Sequence, residues 1–238
     1  MDKTLNLKPK EIETFSKIIN EYIASQTSSS LSTLLSEPIN YKVMVLDKRF
    51  FNPGNIKLSS DELQMCGVQL VGKGDIHIEI CYAIKMKYAK KIIGKLLGGA
   101  EIRDIDEMGA SAIQEVANIL TGSFFNAMSK GTGFRVDLST PNYLQGDFES
   151  MIKNSTREVI KQTESAIVTD AELVGEKSGI RIHMIIVQNV KDTRKILEQN
   201  GKKNPSEFSS LLDSASFITG AQNSELDDLV NELQKEKT

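Results

Sequence analysis

The chain has 238 residues, of which 39% are hydrophobic and 26% charged, with no Trp and a formal charge of −3. That length supports one large domain or two small ones around a substantial core. The balance of charge gives no basic excess for nucleic acid, and no apolar run approaches the about 18 residues of a membrane span. The first residues lack the apolar core of a signal peptide, so the expected location is cytoplasmic. Cys66 and Cys81 lie in strand-like segments without CxxC spacing or nearby His partners, and are read as reduced, partly buried thiols.

Helical periodicity opens the chain over residues 10–35, with Ile12, Phe15, Ile19 and Tyr22 or Ile23 on one face. A strand over 41–46 follows, then a looser stretch containing Asn52-Pro53-Gly54. Next comes a hairpin of 67–71 and 75–82 turning through Gly72-Lys73-Gly74. In its second arm Ile76, Ile78, Ile80 and Tyr82 alternate with His77, Glu79 and Cys81, which predicts one buried face. A helix over 86–97, ended by Gly98-Gly99, closes the unit.

The same order then repeats. Its parts are a helix over 107–130, a strand over 134–139, a hairpin of 165–174 and 179–187 through Gly175 to Gly179, and a helix over 190–200. Two such units, about residues 1–100 and 101–203, predict an α/β fold. The pseudo-symmetric helix-strand-hairpin-helix units would join in one mainly antiparallel sheet with the long helices packed on one side. Residues 204–238 form a separate tail. Within it Leu226, Leu229, Val230 and Leu233 recur at the spacing of an amphipathic helix, interspersed with Glu225, Asp227 and Asp228.

The second long helix carries the most informative pattern. Ser111, Glu115 and Asn118 project from one side, about 40° and 60° apart, while Ile113, Val116, Ala117, Leu120, Phe124, Ala127 and Met128 mark the side that meets the core. A carboxylate and a carboxamide therefore stand as neighbours on an outward stripe. On the first helix Glu13, Lys17 and Asn20 fall at the corresponding places, with Lys where the carboxylate would be.

Ser111-x-x-x-Glu115-x-x-Asn118, continued by Ile119-x-x-Gly122 and by Pro141 after the next strand, resembles the signature of the CheC and CheX family of chemotaxis phosphatases. The order of elements over about residues 10–200 resembles CheC as well. The resemblance implies hydrolysis of the aspartyl phosphate of a response regulator, phosphorylated CheY. Asn118 would orient the attacking water and Glu115 would dock the regulator, with general-base action by Glu115 as the less favoured role. Ser111 and Pro141 support the motif. The protein would need no cofactor of its own, since the regulator holds the Mg²⁺. The first unit, with Lys17 and no Pro near residues 43 and 44, reads as a degenerate site. A CheD-like protein or flagellar switch components are further partners the resemblance implies. The tail either docks on the domain or tethers CheY, as short acidic-hydrophobic helices do in FliM and FliY.

The alternative is a non-catalytic flagellar switch or CheY-binding scaffold of the FliM and FliY type. Ile18-Ile-Asn-Glu21 and Leu31-Ser-Thr-Leu-Leu35 resemble the FliM middle domain, while the intact second motif favours the phosphatase. Other chemistry finds little support. His77 and His183 stand singly in strand-like stretches without metal-ligand spacing, Gly131-Thr-Gly133 reads as a turn, and Lys85, Lys87, Lys90, Lys91 and Lys95 form a basic face.

Overall fold

The computed structural model describes residues 7–47, 64–163 and 166–200. The first helix is α1 (Pro9–Tyr22), with Pro9 at its first position and Glu11 accepting from the Lys8 backbone N–H at 2.6 Å. A π-helical turn (Ile23–Thr27) joins it without a break to α2 (Ser28–Leu35). The following elements are β1 (Ile39–Asp47), β2 (Met65–Gly74), β3 (His77–Lys85), α3 (Met86–Leu96) and α4 (Glu107–Thr132). They continue with β4 (Val136–Leu138), β5 (Asn142–Gly146), α5 (Phe148–Thr163), β6 (Ala166–Gly175), β7 (Arg181–Asn189) and α6 (Val190–Asn200).

The seven strands of the described residues belong to one antiparallel sheet in the order β1-β6-β7-β3-β2-β4, with β5 also on β2. The two units are interleaved in it. The leading strand of each pairs with the hairpin of the other, β1 on β6 and β4 with β5 on β2. At the centre β3 meets β7, and Cys81 pairs with Ile185, the residue at the equivalent place in the second unit. The pseudo-twofold axis passes between them.

Reciprocal polar contacts brace this exchange. Glu37, before β1, accepts from the backbone N–H groups of Lys177 and Ser178 in the β6–β7 turn, each at 2.7 Å. Asp75, in the β2–β3 turn, accepts from the Arg135 N–H before β4 at 2.8 Å. Gly72 and Gly74 are strand residues, not the turn that the sequence reading assigned them. A Cβ on Gly74 would lie 2.2 Å from the Arg135 carbonyl oxygen, so the close passage of the β4 segment requires glycine there.

The main core lies between one sheet face and helices α1 to α4 and α6. It contains Phe15, Ile19 and Tyr22 of α1, Val116, Leu120 and Phe124 of α4, and Leu70, Ile80, Tyr82, Leu173, Met184 and Ile186 of the sheet. The opposite face is covered in part by α5, whose Phe148, Met151, Ile152 and Val159 pack on Met65, Cys81, Ala83, Val168, Ile185 and Val187. The predicted fold class holds, and α5 adds a partial third layer. It also explains why Cys81 and Ala83 are buried although the alternation of β3 predicted only one buried face. Both cysteines are free thiols and fully buried, on different cores. Burial pushes the Cys66 thiol up to about 12, which leaves it unreactive at neutral pH.

Among the described residues, no helix is long and apolar enough to cross a membrane. The tail residues Leu226, Leu229, Val230 and Leu233, and Asn52-Pro53-Gly54, lie outside the described residues.

Candidate functional site on α4

α4 begins at Asp106, whose Oδ1 accepts from the Gly109 N–H at 2.8 Å, and ends at Gly133, which takes the left-handed conformation (φ 77°). Gly131 and Thr132 are helical, so the helix runs two residues beyond its predicted end. Its inner side is fixed in rotation as well as in depth. Ile113, Val116, Leu120, Phe124 and Met128 are buried in the core. Thr121 Oγ1 and the Tyr82 hydroxyl, which belongs to the central strand β3, are hydrogen-bonded at 3.0 Å in a buried setting. Ser123 Oγ donates to the Ile119 carbonyl at 2.8 Å and stands 2.6 Å from Ser30 Oγ of α2. Paired buried polar groups of this kind hold one helix orientation, because any rotation leaves them unsatisfied.

The outer side therefore has a fixed bearing. Ser111 is exposed, while Glu115 and Asn118 are half-buried on the same stripe. Ser111 Oγ donates back to the Glu107 carbonyl at 2.9 Å. The side chains of Glu115 and Asn118 make no hydrogen bond or ion pair with any described residue. Both polar ends are open to an external partner.

Pro141 enters through a β-bulge. On β2, Gly72 pairs with Leu138 and Gln69 with Asn142, so Leu70 and Val71 face the three residues Ser139, Thr140 and Pro141. One residue is extra. Proline cannot donate to the ladder, and Ser139 repairs the gap by donating its N–H to the Val71 carbonyl at 2.8 Å and accepting from the Val71 N–H on Oγ at 2.9 Å. The predicted strand over 134–139 is thus the shorter β4, and a second short strand, β5, which lies beyond the predicted range, follows the bulge. The bulge turns the Pro141 carbonyl towards α4, where Gln114 Nε2 donates to it at 2.7 Å. Gln114 was not picked out in the sequence, since nothing local marks a side chain that bonds 27 residues away.

The first-unit stripe differs in both respects. Glu13, Lys17 and Asn20 are exposed on α1 in the same spacing, but Lys17 Nζ holds Glu13 Oε1 at 2.7 Å. That hydrogen bond keeps the Glu13 carboxyl below the usual range. β1 runs from Ile39 to Asp47 with unbroken register against β6, so no bulge stands where Pro141 stands in the second unit.

With this geometry in place, the relationships of the chain are clear. Residues 108–144, from the first turn of α4 through the bulge to β5, match the CheC-like family. The CheY-P phosphatase CheC of Bacillus subtilis (strain 168) is 24% identical over 186 residues, covering 73% of this chain and 86% of that protein. Within residues 108–144 the chain is thus similar to the CheC-like family, and over most of its length it is similar to CheC. The crystal structure of Thermotoga maritima FliY has a TM-score of 0.62 at 18% identity, covering 83% of this chain and 99% of that one. The FliM middle domain from H. pylori has a TM-score of 0.54 at 14% identity, covering 81% and 99%. At such identities the two structures establish the CheC-type fold and nothing narrower.

Other polar groups have structural partners. His183, buried beneath Phe148, stands with Nδ1 3.1 Å from Asp170 Oδ1, and His77 Nε2 is 3.5 Å from Glu79. Among the described residues no group of three His, Cys, Asp or Glu is placed to hold a metal. The basic face of α3 is largely engaged. Lys90 donates to the Arg103 carbonyl, Lys91 to the Ser178 carbonyl at 3.3 Å, and Lys95 to the Leu35 carbonyl at 2.9 Å.

Proposed function

We propose that this protein, similar to CheC over most of its length, hydrolyses the aspartyl phosphate of a CheY-type response regulator docked on the outer stripe of α4. The observation that carries the reading is the pair Glu115 and Asn118, whose side chains have no partner among the described residues on a helix whose bearing is otherwise locked. Hydrolysis of a phosphoryl group requires an in-line water and charge stabilisation around the phosphoryl oxygens, and little covalent help. The Mg²⁺ and Lys of the substrate supply the charge. Asn118 presents a donor and an acceptor in one plane, which suits it to hold a water along the line of attack. Glu115, beside it, offers a carboxylate to a cation on the regulator and so sets orientation.

The test is the lifetime of phospho-CheY, measured as phosphate release with and without the purified protein. A shortened lifetime with no added cofactor beyond the substrate's Mg²⁺ is expected. An unchanged lifetime, with a preparation that is folded and binds CheY, would replace the enzyme by a CheY-binding scaffold of the flagellar-switch type.

A further inference from the structure

α4 contains Gly109, Gly122 and Gly131, and internal packing accounts for two of them. A Cβ on Gly131 would lie 2.7 Å from the hydroxyl oxygen of Tyr22 and 2.9 Å from its Cε1. Tyr22 cannot retreat, because it is fully buried and its hydroxyl is held by Asn200 Nδ2 at 2.8 Å. At Gly109 the added carbon would press on Ile105 and Ile93 at 3.1 and 3.2 Å. Gly122 is different. A Cβ there would meet no heavy atom within 4 Å, and its backbone is ordinary helix.

Glycine is the poorest helix former after proline, since it has the most backbone freedom to lose on folding. Alanine would fit at residue 122 and hold the helix better, so nothing among the described residues accounts for the glycine. Its position does. Gly122 lies one turn beyond Asn118 and two beyond Glu115, partly exposed on the same stripe. In the first unit, where Lys17 of α1 replaces the carboxylate, the residue at the corresponding sequence position is Ala24, in the π-helical turn after α1.

We infer that Gly122 is a clearance in the docking surface, where bare helix backbone lets the phosphorylated regulator approach α4 more closely than any side chain would permit. The inference rests on the phosphatase reading above and deepens it. An asparagine carries its carboxamide on a single methylene, so Asn118 reaches a water beside the phosphoryl group only if the two proteins close to van der Waals contact around it. A methyl group one turn away would meet the partner first.

Gly122→Ala and Gly122→Ser test this, with Gly131→Ala as the packing control. The readouts are thermal unfolding, the Kd for CheY activated with beryllofluoride and Mg²⁺, and the kcat and KM for phospho-CheY. Gly122→Ala should raise Tm by about 2–4 °C. It should also raise both Kd and KM about tenfold, the size of a steric penalty at a packed contact, with a smaller change in kcat. Gly122→Ser should move Kd and KM in the same direction, and Gly131→Ala should lower Tm. Wild-type Kd and KM in Gly122→Ala, or a fall in its Tm, would overturn the inference. If the wild-type protein binds activated CheY but leaves the phosphate lifetime unchanged, the phosphatase reading fails while the Kd comparison still decides on Gly122. A wild-type protein that does not bind CheY overturns both.

Discussion

Gln114 Nε2 donates to the Pro141 carbonyl at 2.7 Å, which ties the helix carrying Glu115 and Asn118 to the bulge between β4 and β5. The contact joins adjacent parts of one face. Gln114 precedes Glu115 directly, and the bulge has no ladder partner that would otherwise fix the Pro141 carbonyl. Gln114→Ala should cost about 1 kcal/mol of stability, the usual net value of one such bond. Its larger effect should fall on docking, with KM for phospho-CheY raised severalfold and kcat nearly kept, because the bulge loses its register against α4. Gln114→Glu removes the donor while keeping the length and should behave like the alanine variant. A Michaelis series on both variants checks this, and equal falls in kcat with an unchanged KM would show that Gln114 acts elsewhere.

Asn118 and Glu115 should separate under mutation. If Asn118 places the water, it acts mainly in the transition state, so Asn118→Ala should remove most of kcat while the complex still forms. The loss should be about a hundredfold or more, in the range of a group that positions a reactant. Glu115→Ala should weaken binding as well, and more so at low ionic strength, where an intermolecular ion pair counts most. Single-turnover hydrolysis at saturating protein distinguishes the two. The division of roles is wrong if both variants lose binding equally and turn over alike when saturated.

The sequence made the repeat legible because both periodicities it depends on are local. Alternation in β3 and β7 and the apolar faces of α1 and α4 each fall within one element, and the outward placing of Glu115 and Asn118 followed from the inward placing of Val116 and Leu120. What stayed hidden depends on relations between elements. The bulge at Pro141 exists only relative to the register of β2, and the Gln114 contact exists only because of the bulge. α5 is hidden for another reason. The second unit was read on the pattern of the first, where the stretch between β1 and β2 showed only Asn52-Pro53-Gly54, although Phe148, Met151 and Ile152 carry helical spacing of their own.

Acid should loosen the brace between the units. Burial alone would raise the Glu37 carboxyl, but hydrogen bonds from Ser178 and Lys177 and the nearby Lys95 ammonium outweigh it and hold it below the usual value of 4.5. Asp192 is also lowered. Burial opposes the shift there too, and Lys195, the His77 N–H and Asn189 overcome it. A carboxylate lowered in the folded state adds stability that is fully present above its unfolded pKa and is lost as pH falls through its folded pKa. Stability should therefore hold at neutral pH and decline from about pH 4.5 downwards. Glu37→Gln should cost about 1–3 kcal/mol at pH 7, since it leaves the Lys177 and Ser178 donors a weaker acceptor. Urea midpoints at pH 7 and in acid should converge for wild type and variant. A difference that grows on acidification would reverse the assigned sign.

The halves of the molecule should be unequal in function, and α1 shows why. Asn20 has the helical position of Asn118 and is exposed, but Lys17 stands where Glu115 stands and is held to Glu13 at 2.7 Å. A regulator cation that Glu115 would attract meets an ammonium at Lys17, and a like-charge contact at close range costs affinity. Glu13 stands one turn away from that position, beside Lys17 itself. The unbroken β1 adds a second difference, because no bulge is present to complete the face. Asn20→Ala should accordingly leave kcat/KM for phospho-CheY nearly unchanged, and the double variant Asn20→Ala, Asn118→Ala should match Asn118→Ala alone. Circular dichroism confirms that each variant is folded before rates are compared. A large loss from Asn20→Ala in a folded protein would mean that α1 carries a second working centre despite Lys17, and that the carboxylate is dispensable for docking.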